Sequence, residues 1–292
     1  MPPIPTYSAT GSLVIFVDCK PVTLRSLIRF HDAPQVGPMA LIGNSALVAG
    51  GSRGIGRAAA IALARRGADV AILYRSADGA AASVCKEIAA IGRRAYSIRA
   101  DVSDPEMVSS AFATIKAEFG VPTMIVNSTG AAAPEEYVHE QSPEDFRRFI
   151  AADLCGAYNV IHHAVRTLRE AGGGSIIAVS SIATQMLPSR NSAGSASKAA
   201  TEALIKVVAR EEARHAIRAN VVAVGITDTD MVRPMFEKWG AAVTQKVLSG
   251  IPLGRIGRPE EVADLIESLL DERAAYVTGK TFQIDGGQFI GG

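Results

Sequence analysis

Residues 45–49 are a short apolar run that leads directly into Gly50-Gly51-Ser52-Arg53-Gly54-Ile55-Gly56, and Arg57-Ala58-Ala59-Ala60-Ile61-Ala62-Leu63 follows. No other feature limits the fold as strongly. Gly50 can bend the chain sharply, Gly54 lets the backbone approach a pyrophosphate, and Gly56 lets the helix lie close to the sheet. Free N–H groups at the helix start then face the anion. Gly50, Ser52, Arg53, Gly54, Ile55 and Gly56 are therefore candidate cofactor-binding residues. The plain alternative is a structural glycine turn, and its placement between strand and helix argues against that.

From residue 41 onward, apolar runs alternate with amphipathic stretches, the rhythm of a parallel sheet covered on both faces. Strands are expected near 45–49, 69–74, 95–100, 124–128, 175–180, 219–224 and 281–284. Helices are expected near 54–66, 79–91, 105–119, 143–171, 195–214 and 259–270. Asp104 before Pro105 is an N-cap, and Ser142-Pro143-Glu144-Asp145 resembles a capping box. Gly67, Gly92 and Gly120 stand where helices end in a left-handed cap. The expected fold is α/β, a Rossmann-type doubly wound parallel sheet forming a single domain over 39–292. Residues 1–38 hold six prolines and break the rhythm; they are an N-terminal extension, and Met39 is a conceivable second start.

Thirty basic and 29 acidic residues nearly cancel, and aromatics make up only 5%, which disfavours nucleic acid as a partner. Apolar runs such as 13–17 fall far short of the roughly 20 residues of a membrane-spanning helix. Three widely spaced cysteines, Cys19, Cys85 and Cys155, suggest neither a disulfide framework nor a zinc site, and a cytoplasmic protein is expected. No metal site is expected: His162 and His163 point about 100° apart on a helix and have no third ligand.

At the end of the second strand, an acid would bind the adenosine ribose hydroxyls and repel a 2′-phosphate. That place is held by Tyr74, and Arg75 follows it. Together with Arg53 it offers two guanidinium groups to a 2′-phosphate, so NADP(H) is the expected cofactor; the alternative is two solvated arginines.

These motifs resemble the short-chain dehydrogenase/reductase family across about residues 40–292, with Ala49 in place of the family's threonine. The resemblance implies that Asp101 and Val102 hold the adenine and that Asn127 and Gly130 line the cofactor. It also implies that Thr227 and Thr229, in Val224-Gly225-Ile226-Thr227-Asp228-Thr229, touch the nicotinamide. Residues 254–260 and 277–287 complete the family's C-terminal signature. A homotetramer or dimer through the long helices is implied as well.

The catalytic end departs from the pattern. Ser181 and Lys198 are in register with the family's serine and lysine, but the tyrosine position, four residues before Lys198, is Gly194. The helix-four asparagine is also changed, to Asp153 in Asp153-Leu154-Cys155-Gly156. A ketone accepting hydride develops an alkoxide, and a tyrosine beside a lysine cation can protonate it. Glycine cannot. Loss of a positioned acid removes about 10²–10⁴-fold in rate. The Asp153 and Gly194 segments are locally similar to 2,4-dienoyl-CoA reductases, which lack that tyrosine and pair an aspartate with the lysine.

The expected function is thus an NADP(H)-dependent reductase that transfers hydride to a small carbonyl, a conjugated enoyl or dienoyl thioester, or an imine. In this reading Lys198 orients the ribose, while Asp153 with Ser181 manages proton and substrate. The competing expectation is an NADP(H)-binding homologue without turnover. The pocket should be walled by residues 184–194 and 228–250, Tyr158 should be packing, and ketone reduction by Gly194→Tyr would show that the scaffold retains the family's geometry.

Overall fold

The structure is a computed structural model that describes residues 6–7, 13–17, 20–23, 41 and 44–291. The chain divides into two compact units, Met1–Met39 and Ala40–Gly292. In the first, β1 (Thr6–Tyr7), β2 (Leu13–Val17) and β3 (Lys20–Thr23) form an antiparallel sheet. The apolar run 13–17 is the middle strand of that sheet. Met39, the conceivable second start, lies outside the described residues.

The second unit is built on seven strands: β4 (Ser45–Ala49), β5 (Asp69–Tyr74), β6 (Ala95–Arg99), β7 (Met124–Asn127), β8 (Gly174–Ser181), β9 (Ile217–Val224) and β10 (Thr281–Ile284). Their order across the sheet is β10-β9-β8-β7-β4-β5-β6, and every pair is parallel. The order reverses between β4 and β7, which opens a crevice at their carboxyl ends, where ligands bind in folds of this kind.

The helices are α1 (Gly54–Arg65), α2 (Asp78–Ala90), α3 (Pro105–Glu118), α4 (Pro143–Ile150), α5 (Gly156–Ala171), α6 (Ala183–Met186), α7 (Ser192–Glu212), α8 (Arg233–Ser249) and α9 (Pro259–Leu270). Strand alternation divides the core between the two faces of the sheet. Leu47, Leu73 and Ile176 point to one face, against Phe112 and Ile115 of α3, Ile161 and Leu168 of α5 and Ile205 of α7. Val48, Val70 and Ile72 point to the other, against Leu63 of α1, Ile88 of α2 and Ile266 of α9. Each fully buried leucine or isoleucine contributes about 1.5–3 kcal/mol relative to exposure.

The expected caps form, with one difference. Asp104 accepts from the N–H groups of Glu106 and Met107. Ser142 accepts from the Asp145 N–H, but the Ser142 hydroxyl donates to the Asp145 carboxylate, so the Asp145 side chain does not close a reciprocal box. Three further expectations need correction. The helix expected over 143–171 is interrupted by a π-helical turn at Ala151–Cys155. α7 begins at Ser192, three residues early, and carries Gly194 and Ser195 in its first turn. A helix over 233–249 was not expected; it is kinked at Gly240, where φ is 72°. Among the described residues, no helix is long and apolar enough to cross a membrane.

Candidate functional site

The first glycine turn is shaped by what it touches. Gly50 has φ of 79°, a left-handed conformation, and a Cβ there would lie 2.7 Å from the Ser128 carbonyl oxygen. Any larger residue would collide with the backbone where the chain leaves β7. Gly54, with φ of 53°, faces Thr229: its missing Cβ would stand 3.3 Å from the threonine methyl. The turn, the β7 exit and the 227–229 segment are thereby brought together. Thr227 is buried and its hydroxyl donates to the Gly225 carbonyl at 3.1 Å.

Along the same rim, Asn127 is buried and its Oδ1 accepts the Thr129 hydroxyl at 2.7 Å. Asp101 accepts both the N–H and the hydroxyl of Ser103 and so forms a tight turn. Val102 is clamped from α5: Asn159 donates to its carbonyl at 2.9 Å, and its side chain fills the space over Gly156. At the outer end, Arg53 and Arg75 both stand exposed after neighbouring parallel strands. Register pairs Tyr74 with Arg99, and the Arg99 guanidinium donates to the Arg75 carbonyl at 3.0 Å. Burial, then a hydrogen bond to Asp78, pushes the Tyr74 phenol above its ordinary range. Sequence reasoning missed Arg99 and Asp78; the strand register was the available signal for the former.

The centre of the site is an ion pair. Asp153 sits on the π-turn with its side chain fully buried, and its Oδ1 accepts Lys198 Nζ at 3.2 Å and the Ala131 N–H at 3.1 Å. Its Oδ2 accepts the Ser197 hydroxyl at 2.6 Å. Lys198 also donates to the Thr129 carbonyl at 3.3 Å. Of its three N–H bonds, two are thus used, and one is left to a ligand. A Cβ on Gly130 would stand 3.4 Å from Lys198 Nζ and 3.5 Å from Asp153 Oδ1, so a bare backbone covers the pair. π-turns recur at functional sites because they re-aim side chains within a helix, and this one turns Asp153 towards α7. Asp153 therefore stands behind Lys198, screened from solvent.

Ser181 ends β8 and its Oγ accepts the Ala183 N–H at 3.1 Å, which leaves its proton free to donate. Beneath it, the buried Glu202 carboxylate accepts the hydroxyls of Ser180 at 2.7 Å and Thr184 at 2.9 Å. Gly194 is buried, and a Cβ there would meet Asn191 Oδ1 at 2.4 Å and the Ala133 Cβ at 3.0 Å. The space over Gly194 is thus taken by the Asn191 side chain, and a larger residue at 194 would require that amide to move. Tyr158 is not core packing: it is 52% exposed on α5, with its ring stacked near that of His162 at 6.0 Å between centroids. His162 and His163 meet edge to face at 5.1 Å.

Seven parallel strands with a crevice at the order reversal, a glycine cradle and a lysine paired with a buried aspartate on one rim define a doubly wound α/β protein with its chemistry at the switch point. The comparisons make the class specific. A family model described as Enoyl-(Acyl carrier protein) reductase matches residues 49–288. The chain is 35% identical over 254 residues to L-rhamnose 1-dehydrogenase (NAD(P)(+)) of Sphingomonas sp. (strain SKA58), covering 86% of this chain and 98% of that one. It is 34% identical over 268 residues to the chloroplastic NADPH-dependent aldehyde reductase-like protein of Arabidopsis thaliana, covering 88% and 98%. A crystal structure of a short-chain type dehydrogenase/reductase from Mycobacterium marinum superposes with a TM-score of 0.80 at 34% identity, covering 86% of this chain and 97% of that one. The chain belongs to the short-chain dehydrogenase/reductase family.

Proposed function

We propose that the protein is an NADP(H)-dependent oxidoreductase that reduces small carbonyl compounds. The observation that carries this reading is the Lys198 ammonium, held between Asp153 and the Thr129 carbonyl with one N–H to spare, on the rim that also bears the glycine turn. The residues fit a nicotinamide dinucleotide. The turn at 50–56 is bare where a pyrophosphate would approach, and Gly54 and Thr229 bracket the opening. Gly50, Ser52, Arg53, Gly54, Ile55 and Gly56 would hold the pyrophosphate; Asp101 and Val102 the adenine; and Asn127, Gly130, Thr227 and Thr229 the nicotinamide end. Arg53 and Arg75 would take the 2′-phosphate, as planar donors matched to that group. When bound, such a cofactor supplies the hydride.

The chain's own groups supply position and charge. Lys198 hydrogen-bonds the ribose with its spare N–H, and its positive charge favours the oxygen that becomes negative during reduction. Asp153 orients Lys198, and protons reach the site through Lys198 or water rather than from the carboxyl directly. Ser181 donates to the substrate oxygen. Residues 184–194 and 228–250 leave the sheet from this same rim and wall the substrate. Conjugated enoyl thioesters and cyclic imines belong beside carbonyls among possible substrates, because hydride addition to them leaves no localised alkoxide. Homo-oligomer formation through α5 and α7 would cover Tyr158 and Val207, which stand 52% and 49% exposed. The free thiols of Cys85 and Cys155 suit a reducing cytoplasm.

The test is a fluorescence titration with NADPH and with NADH, then NADPH oxidation with aldehydes, ketones, enoyl thioesters and cyclic imines. Tighter binding of NADPH and oxidation with at least one class is the expected result. Binding without any oxidation would favour a dinucleotide-binding protein without turnover, the reading that Gly194 keeps open.

A further inference from the structure

The space over Gly194 is not empty. Asn191 fills it from the turn before α7, and its backbone is fixed there by a parallel bridge to Glu136. Although Asn191 holds the N-cap position of α7, its side chain makes no capping bond. Its Nδ2 instead donates to Ser195 Oγ at 3.3 Å. Ser195 Oγ in turn donates to the Ala183 carbonyl at 3.0 Å, and the Ala183 N–H donates to Ser181 Oγ. A chain of hydrogen bonds thus joins the Asn191 amide to the strand-end hydroxyl. An amide carries two N–H donors, and only one is used in this chain. On its other side, Asn191 adjoins Ser192, which lines a cleft of about 410 Å³ with Val138, Gln141, Pro143, Phe146 and Arg147.

We propose that Asn191 is a substrate-contacting residue, donating its second Nδ2–H to the oxygen that Ser181 also meets, and that Gly194 is the room this amide requires. The inference rests on the reading of the protein as a carbonyl reductase. The amide stabilises developing negative charge and gives up no proton: hydride adds to the carbonyl carbon, the C=O π pair moves to oxygen, and water protonates the alkoxide and leaves hydroxide to the buffer. With both donors on that oxygen the pair would act as an oxyanion hole, where removal of one donor costs about 10²–10³-fold in kcat.

The experiment compares wild type with Asn191→Asp, Asn191→Ala and Gly194→Ala, using the carbonyl that the wild type reduces best. Asn191→Asp keeps the shape and loses the N–H donors; Gly194→Ala puts a Cβ 2.4 Å from Oδ1 and turns the amide away. All three are expected to lower kcat about 100-fold with KM within about threefold, and Asn191→Ala/Gly194→Ala together to lose no more than either alone. NADPH affinity and Tm should stay near the wild-type values. A kcat within threefold of wild type in Asn191→Asp and Gly194→Ala overturns the proposal, as does a lowered Tm with unchanged kcat. Wild-type protein that binds NADPH but reduces no carbonyl also overturns it, and leaves the cofactor site standing. Wild-type protein that binds no NADPH overturns the reading beneath it.

Discussion

Lys198 and the buried Asp153 form a pair whose two halves have different duties, and substitution can separate them. Lys198→Met leaves the fully buried Asp153 carboxylate without its cation, which should cost about 3–5 kcal/mol in urea denaturation and abolish turnover. Lys198→Met with Asp153→Asn removes the orphaned charge, so stability should recover while activity does not. At the other end of the site, Arg75→Ala should raise the Kd for NADPH about 10-fold and leave that for NADH unchanged, as loss of one hydrogen bond to a charged group predicts. Equal weakening of both would remove Arg75 from the 2′-phosphate. Single positions were legible where a motif fixes spacing: Asp153 reads as a buried carboxyl near Lys198, and the two stand 3.2 Å apart. Asn191 was not legible, because its significance lies in a through-space meeting with Gly194 that no local pattern encodes.

Elements were legible wherever punctuation and periodicity agreed. All seven strands of the large sheet were anticipated to within two residues at either end, since Val, Ile and Ala runs bounded by glycine admit little else. The π-turn at 151–155 was not, because it changes hydrogen-bond partners without changing composition. α8 was missed because Pro234 and Gly240 interrupt its pattern and none of its residues is buried. Caps offer measurable energies: Asp104→Ala should destabilise the protein by about 1 kcal/mol, read by thermal or urea unfolding. α9 offers a pH signature. Its Glu261 is held down to about 2, from 4.5, by the Arg255 guanidinium and then by the Arg258 N–H. A depressed folded-state value means the stabilisation is complete above pH 4.5 and is lost as pH falls towards 2. The stability difference between wild type and Glu261→Gln should therefore be present at pH 6 and shrink through that window, followed by circular dichroism.

At the scale of the whole molecule, the separation of Met1–Met39 from Ala40–Gly292 predicts that removal of residues 1–38 leaves the sheet, its thermal unfolding and NADPH binding unchanged. A lowered Tm in the shortened protein would show that the first unit braces the second. The exposed Tyr158 and Val207 predict an assembly larger than one chain in sedimentation, shifted towards monomer by Tyr158→Glu and Val207→Glu together. Because all seven strands run the same way, every loop that serves the site leaves the sheet at one edge. The opposite edge, where turns such as 91–94 and 119–123 carry the chain back, has no such duty. A peptide tag or fluorescent reporter spliced in there would sit a full strand length from the reacting atoms, which makes that side the natural handle for immobilising the protein with its working end outward.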